Sequence, residues 1–190
     1  MPPDWESRYR NRSVADATAA DVLLENLHLL PPSGTALDLA CGLGANAMLL
    51  AGEGLETFAW DGAATAVAKL KAWATRERLP VHAEVRDVVA DPPEAERFDV
   101  IAVCRFLERD LAPALVAALR PGGVLFYQTF TRSHVSERGP SHADFRLADN
   151  ELLQLFAPLR VLVYREEDRV GDLARGFRDE AQLVAQKRPV

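Results

Sequence analysis

Hydrophobic residues in this chain fall into short runs separated by amphipathic stretches, and the two spacings alternate. Runs at Ala36–Leu39, Leu55–Trp60, Val81–Arg86, Phe98–Cys104 and Val124–Phe130 are too short for helices and are bounded by Gly, Pro or acidic residues. They predict five buried strands. Between them, Asn46–Ala51 opens a helix of small and aliphatic residues, and Gly62–Arg78 carries Val67, Leu70 and Ala74 at helical spacing. Asp110 is placed to cap a helix running through Leu119, and Arg120-Pro121-Gly122-Gly123 reads as a tight turn. Ahead of the first strand, Ala19, Val22, Leu23, Leu27 and Leu30 predict one helix over Ala15–Leu30, ended by Pro31, Pro32 and Gly34. Strand–helix alternation implies parallel pairing with right-handed crossovers.

Beyond Phe130 the pattern changes. Thr131–Ala148 is a long polar loop, Asp149 or Asn150 caps a short helix (ELLQLF), and strands follow at Arg160–Arg165 and about Glu180–Gln186. No helix separates these two, so they form a hairpin and one of them runs against the rest. The expected fold is α/β: a doubly wound, mostly parallel seven-stranded sheet with a C-terminal antiparallel β-hairpin.

The candidate chemistry centres on Thr35–Leu50, TALDLACGLGANAMLL, a strand, a glycine turn and a helix start in tandem. Doubly wound proteins build nucleotide sites from this arrangement at the carboxyl end of the sheet. Gly42 to Ala47 also satisfies the GxGxxG/A dinucleotide pattern, with Asp61 near the spacing of a ribose-binding acid. Asp38, four residues before Gly42, argues against a bound pyrophosphate and for a cationic ligand. S-adenosylmethionine, with an ammonium and a sulfonium and no phosphate, fits better than a nicotinamide cofactor. Asp61 is placed to accept from both ribose hydroxyls or to cap the following helix. Asp87 and the N–H of Val88 are placed to meet the adenine edge, with a surface turn as the alternative.

Size and charge narrow the field. At 190 residues with 48 % hydrophobic content the chain suits one domain. It divides into an N-terminal helical cover (1–33), a cofactor-binding core (34–130) and an acceptor side (131–190). A net charge of −6 speaks against nucleic acid as principal partner. The start of the chain, MPPDWESRYRN, carries no apolar targeting segment, and no apolar stretch approaches membrane-spanning length. A cytoplasmic monomer or homodimer is expected, with no nucleic acid or membrane as partner. Trp5 and Tyr9 are candidate anchors for this end. Cys41 and Cys104 end strands on the ligand side; two thiols make no zinc cage, no metal site is expected, and both read as small buried hydrophobes.

In combination and in order, LDLACGLGA at Leu37–Ala45, Asp61, Asp87, FDVI at Phe98–Ile101 and LRPGG at Leu119–Gly123 resemble the class I S-adenosylmethionine-dependent methyltransferases. CGLGANAMLLA, AWD at Ala59–Asp61, FLE at Phe106–Glu108 and YREE at Tyr164–Glu167, with Gly171-Asp172-Leu173 after it, are similar to the TehB-type tellurite-resistance members. The resemblance implies that the glycine turn lies against the methionine and ribose parts of the cofactor, Asp61 at the ribose and Asp87 near adenine. The implied cofactor-binding set is Tyr9, Asp38, Ala40, Cys41, Gly42, Gly44, Asn46, Asp61, Gly62, Asp87, Val88, Cys104 and Arg105. It further implies a His-Arg pair and a second Arg facing a substrate oxyanion. Here Ala174-Arg175 stands in place of that pair, and Arg178 is the candidate second arginine.

Methyl transfer from a sulfonium is an in-line displacement, so the protein chiefly aligns acceptor and methyl. A base is needed only where the nucleophile must lose a proton; an oxyanion or thiolate needs none. Arg105, Arg132, Arg138, Arg175 and Arg178 form a basic set for an anionic acceptor, with Arg105, Arg175 and Arg178 the expected positioning residues. His134 and His142 are alternative bases in the long loop. The expected activity is methyl transfer to a small anionic or soft acceptor. The alternatives are a cofactor-binding module without transfer activity, for which Ala174 speaks, and a nicotinamide-dependent oxidoreductase.

Overall fold

A computed structural model describes residues 5–189. The five predicted strands form at β1 Thr35–Leu39, β2 Glu56–Asp61, β3 Val81–Val85, β4 Phe98–Cys104 and β5 Leu119–Phe130. The hairpin follows as β6 Arg160–Arg165 and β7 Glu180–Gln186. Helices are α1 Trp5–Arg10, α2 Asp21–Leu24, α3 Ala45–Gly52, α4 Ala64–Glu77, α5 Ala112–Ala118 and α6 Glu151–Leu155. The seven strands make one sheet in the order β3-β2-β1-β4-β5-β7-β6. Pairing is parallel from β3 through β5, whereas β7 runs antiparallel to both β5 and β6. The direction of winding reverses between β1 and β4, which opens a crevice at their carboxyl ends, the usual ligand position in such sheets.

Alternation along the strands sends residues to two covered faces. Leu37, Leu39, Trp60, Phe98, Ile101 and Tyr127 pack on one side with Leu115, Leu152 and Phe156. Ala36, Val100, Ala102 and Phe126 pack on the other with Leu50, Val22 and Leu23. Both faces being apolar explains why the parallel strands read as short continuous runs.

Three expectations are corrected. The single helix over 15–30 is instead a 3-10 turn (Val14–Asp16), the one-turn α2 and a second 3-10 turn (Leu27–Leu29). The cause is tertiary. Ala20 is extended, and its N–H donates to the Asn46 side chain at 2.9 Å, while the Val22 N–H donates to Oε1 of Gln128 at 2.8 Å. These bonds take donors that a continuous helix would use, and Val22 and Leu23 still reach the core. The residue that caps the turn before α5 is Glu108, not Asp110: its side chain accepts from the Asp110 N–H, and Pro113 stands in the first turn of α5. Finally, Arg120–Gly123 is not a free turn but a bulge inside β5. Phe98 pairs with Leu119 and Val100 with Val124, so Arg120 to Gly123 stand opposite Asp99. Gly123 is required there, since a Cβ would lie 2.9–3.2 Å from the carbonyls of Arg120, Phe98 and Asp99. Trp5 opens α1, but its side chain lies outside the described part of the structure.

Two long loops frame the carboxyl edge, and an arginine organises each. Arg146, 4 % exposed, donates to the carbonyls of Pro140 (2.7 Å), Thr131 (2.8 Å) and Arg138 from inside the 131–148 segment. Asp179 pins the same segment to β7 by accepting from the N–H groups of Val135 and Ser136 and the Ser136 hydroxyl. Arg178 gathers the β6–β7 loop, donating to the carbonyls of Glu167, Asp168, Val170, Asp172 and Arg175 at 2.7–3.1 Å. Replacing Arg146 by Ala strands the buried Thr131 carbonyl and the half-buried carbonyls of Pro140 and Arg138, and a buried group costs roughly 1–3 kcal/mol when left unmet. Urea unfolding should therefore show Arg146→Ala destabilised by about 2–4 kcal/mol; a loss below 0.5 kcal/mol would mean that water replaces the guanidinium freely.

Candidate active site

The turn after β1 contains Ala40, Gly42 and Gly44 at φ of 56°, 52° and 75°. This left-handed conformation costs a non-glycine residue roughly 1–2 kcal/mol, so Ala40 is locally strained. The two glycines meet different demands. A Cβ on Gly44 would lie 2.4 Å from a Leu70 methyl, so its absence lets α4 pack against the turn. A Cβ on Gly42 would lie 2.7 Å from the Tyr9 hydroxyl, which places the Tyr9 ring over the turn.

Asp61, at the end of β2, is buried and ties this corner together. One carboxylate oxygen accepts from the Gly42 N–H at 2.7 Å and the other from the Ala63 N–H at 2.8 Å. It therefore satisfies a donor at the start of α4, as the capping alternative expects, and also braces the glycine turn, a role the sequence did not suggest. Burial raises its pKa, and the two N–H donors moderate the rise. Tyr9 sits in the field of Asp61, and burial with that charge holds its hydroxyl protonated, with a pKa of about 12. Gly62, between Asp61 and Ala63, is exposed and has open space at its Cβ position.

Asp38 is fully covered by protein and faces the first turn of α3. It accepts from the Ala47 N–H at 3.0 Å and the Asn46 amide at 3.4 Å. Its carboxylate is thus occupied by α3 and has no exposed face. Burial raises its pKa from 3.8 to about 7, against the opposing pull of those two hydrogen bonds. Asn46 in turn accepts from Ala20, so the turn, the helix and the N-terminal cover share one network.

Cys41 and Cys104 are free thiols, and burial followed by the Asp38 charge pushes both upward. Such thiols are not activated nucleophiles. At the outer strand, Asp87 is exposed and accepts from the Val89 and Ala90 N–H groups at 3.0 and 3.1 Å, a local turn, while the Val88 side chain enters the core.

The acceptor-side candidates separate. Arg105, at φ 56° just beyond β4, donates its N–H to the Gln128 carbonyl and directs its side chain to within 3.7 Å of Glu180. Arg175 is exposed in the β6–β7 loop, beside an equally exposed Ala174. The Arg178 guanidinium is committed to loop carbonyls. His134 is half-buried and lies against the Arg132 carbonyl, while His142 is exposed and lies against Asp144. Sequence reasoning missed Glu180 and Gln128, buried and joined at 2.6 Å. The available signal was polarity at Gln128, which follows the apolar run Val124–Tyr127 of an interior strand; Glu180, at the start of β7 after Arg178 and Asp179, gave none.

Sheet order, the terminal antiparallel hairpin and a glycine turn braced by an acid on the next strand define a class I S-adenosylmethionine-dependent methyltransferase. A family model described as tellurite resistance protein TehB matches residues 5–183, and the chain belongs to that family. The crystal structure of TehB from Haemophilus influenzae is similar with a TM-score of 0.74 and 21 % identity, over 97 % of this chain and 67 % of that one. An S-adenosylmethionine-dependent methyltransferase from Methanosarcina mazei superposes with a TM-score of 0.68 and 16 % identity, over 92 % of this chain and 100 % of that one. At these identities the likeness shows the fold. A protein described as hemagglutinin 1 from Eikenella corrodens is 30 % identical over 167 residues, which is 83 % of this chain and 54 % of that protein. The chain thus spans about half the length of that relative. No helix among the described residues is long and apolar enough to cross a membrane.

Asp38 generates a pH test. Its folded pKa of about 7 exceeds the ordinary 3.8, so between these values the folded state holds a proton that the unfolded chain releases. Stability from this group therefore falls as pH rises through that window. Asp38→Asn removes the dependence. The stability of the wild type relative to Asp38→Asn should decline by about 1–4 kcal/mol from pH 4 to pH 8 in urea titrations. Parallel profiles would show that Asp38 is ionised alike in both states.

Proposed function

We propose that this protein transfers the methyl group of S-adenosylmethionine to a small, anionic or soft nucleophile. The observation that carries the reading is the Gly42–Asp61 bond, which holds the glycine turn and the end of β2 in fixed relation at the crevice where the winding reverses. The residues present fit the cofactor. Tyr9 and Gly42 offer a closely covered turn, and Asp61 retains lone pairs toward ribose hydroxyls beyond its two backbone bonds. Asp38 supplies a nearby negative field suited to a cation, and Asp87 with Val88 stands at the outer strand end for adenine. When bound, the cofactor supplies an electrophilic methyl on a sulfonium.

This chain's residues then position and shield. Protonated thiols at Cys41, buried, and Cys104, half-buried, leave no competing thiolate beside the electrophile. Arg105 presents positive charge at the crevice rim, where an anionic acceptor is held for attack opposite the leaving sulfur. Arg175 joins it from the β6–β7 loop, and Arg178 acts by holding that loop. An acceptor that is already anionic needs no proton removed, which accords with alanine at position 174. We place the activity in a cytoplasmic monomer or homodimer, with 1–33 as cover, 34–130 as cofactor core and 131–190 as acceptor side.

Ala174 also favours a second reading, a binding module that retains the cofactor without turnover. A nicotinamide oxidoreductase is disfavoured by Asp38 and by the antiparallel β7 inserted between β5 and β6, absent from the usual dinucleotide sheet.

Calorimetric titration with S-adenosylhomocysteine, with NADH in parallel, tests the reading. Micromolar binding of the former and none of the latter is expected; the reverse would overturn it. Asp61→Ala should weaken S-adenosylhomocysteine by about 1.5–3 kcal/mol, and Gly42→Val should abolish binding. Arg175→Ala should leave that affinity unchanged while raising the KM for the acceptor. Binding without turnover across a panel of oxyanions and thiols would favour the module.

A further inference from the structure

Glu180 opens β7 at the carboxyl edge, and its carboxylate is buried, at 3 % exposure. A carboxylate in that position is costly unless paired. Its Oε2 accepts from the Gln128 amide at 2.6 Å. Its Oε1 faces two guanidinium groups: Nη2 of Arg138 at 3.3 Å and Nε of Arg105 at 3.7 Å. The two arginines arrive from unrelated segments, one from the end of β4 and one from the loop after β5. Alone they would repel each other, and the single oxygen between them is what lets them converge.

The pairing is not a closed core ion pair. The Arg105 and Arg138 side chains are 50 % and 61 % exposed, whereas the Glu180 side chain is nearly inaccessible. Among the described residues the Arg105 guanidinium makes no hydrogen bond, and that of Arg138 makes only the one to Glu180. Asp179, adjacent in sequence, is occupied by Val135 and Ser136. Most of the guanidinium donors are therefore left without a partner among the described residues, on side chains that are half or more exposed. Cys104 feels the charges of both Glu180 and Asp38, which places this group within electrostatic reach of the glycine turn.

We propose that Glu180 is a positioning residue that holds Arg105 and Arg138 as the two arms of an oxyanion clamp, with Arg138 a direct acceptor-binding residue. The clamp rests on the methyltransferase reading for its purpose, but not for its binding chemistry. Forked N–H donors on two converging guanidinium groups match the oxygens of a small oxyanion. The buried carboxylate limits the arms' motion while occupying only their inner donors.

The test is calorimetric titration of the full chain with sodium selenite and sodium tellurite, each with and without S-adenosylhomocysteine. Wild type should bind at least one of them at millimolar concentration or below. Glu180→Gln, which keeps the shape and removes the charge, should weaken that binding at least tenfold and leave S-adenosylhomocysteine affinity within twofold. Arg138→Ala, at an exposed side chain that leaves the core intact, should produce the same split. Arg76→Ala on α4 serves as the charge control and should change neither. A purely structural glutamate would lower both affinities together, and that result would overturn the assignment. Oxyanion binding undiminished in Glu180→Gln and Arg138→Ala would also overturn it, as would a wild type that binds neither oxyanion. Failure of S-adenosylhomocysteine alone would fault the cofactor reading, while the titrations without it still decide the clamp.

Discussion

The carboxylate of Asp61 is the constraint on which the site depends. A strained turn after β1 and the entry to α4 after β2 present backbone N–H groups to the same crevice, just beyond the last backbone bond between them, from the Cys41 N–H to the Trp60 carbonyl. One buried acid satisfies both, with Gly42 on one oxygen and Ala63 on the other. Charge-assisted bonds of this kind are the strong members of their class. The remaining furniture follows from that corner: Gly44 admits Leu70 beneath the turn, Tyr9 covers Gly42, and Asp38 fixes the first turn of α3 from below.

The strands were legible because both faces of the sheet are covered, so each interior strand is an apolar run of characteristic length. The glycine turn was legible because few local sequences tolerate left-handed backbone at three positions out of five, here Ala40, Gly42 and Gly44. Failures have a common cause. The segment before β1 has helical periodicity, yet Asn46 and Gln128, distant in sequence, take the donors at Ala20 and Val22 and divide it. Periodicity reports which side chains are inward; it does not report where their N–H groups go. Glu180 escaped for a related reason, since a polar residue at a strand start reads as solvated until its neighbours are known.

The arginines show how far composition falls short of placement. Five were grouped as basic residues near the carboxyl edge, but their surroundings give them different work. Arg178 is turned inward to hold a loop, as Arg146 is in the neighbouring one, each by donation to several carbonyls. Arg105 and Arg138 are turned outward by a buried acid, and Arg175 stands exposed. Planar guanidinium suits both tasks because it carries many donors in a fixed fork. In this family member alanine occupies position 174, and Arg175 beside it is exposed.

Gln128 deserves a last look for what it connects. Its carbonyl oxygen receives the Val22 N–H from the N-terminal cover, and its amide nitrogen donates to Glu180 at the acceptor side. A primary amide cannot rotate to serve one partner without turning away from the other. The segment before β1 and the glutamate on β7 are thereby held by the two ends of one amide. Solvent reaching Val22 and slackening of the arginine pair should rise and fall in step, although Val22 and Glu180 lie near opposite ends of the chain.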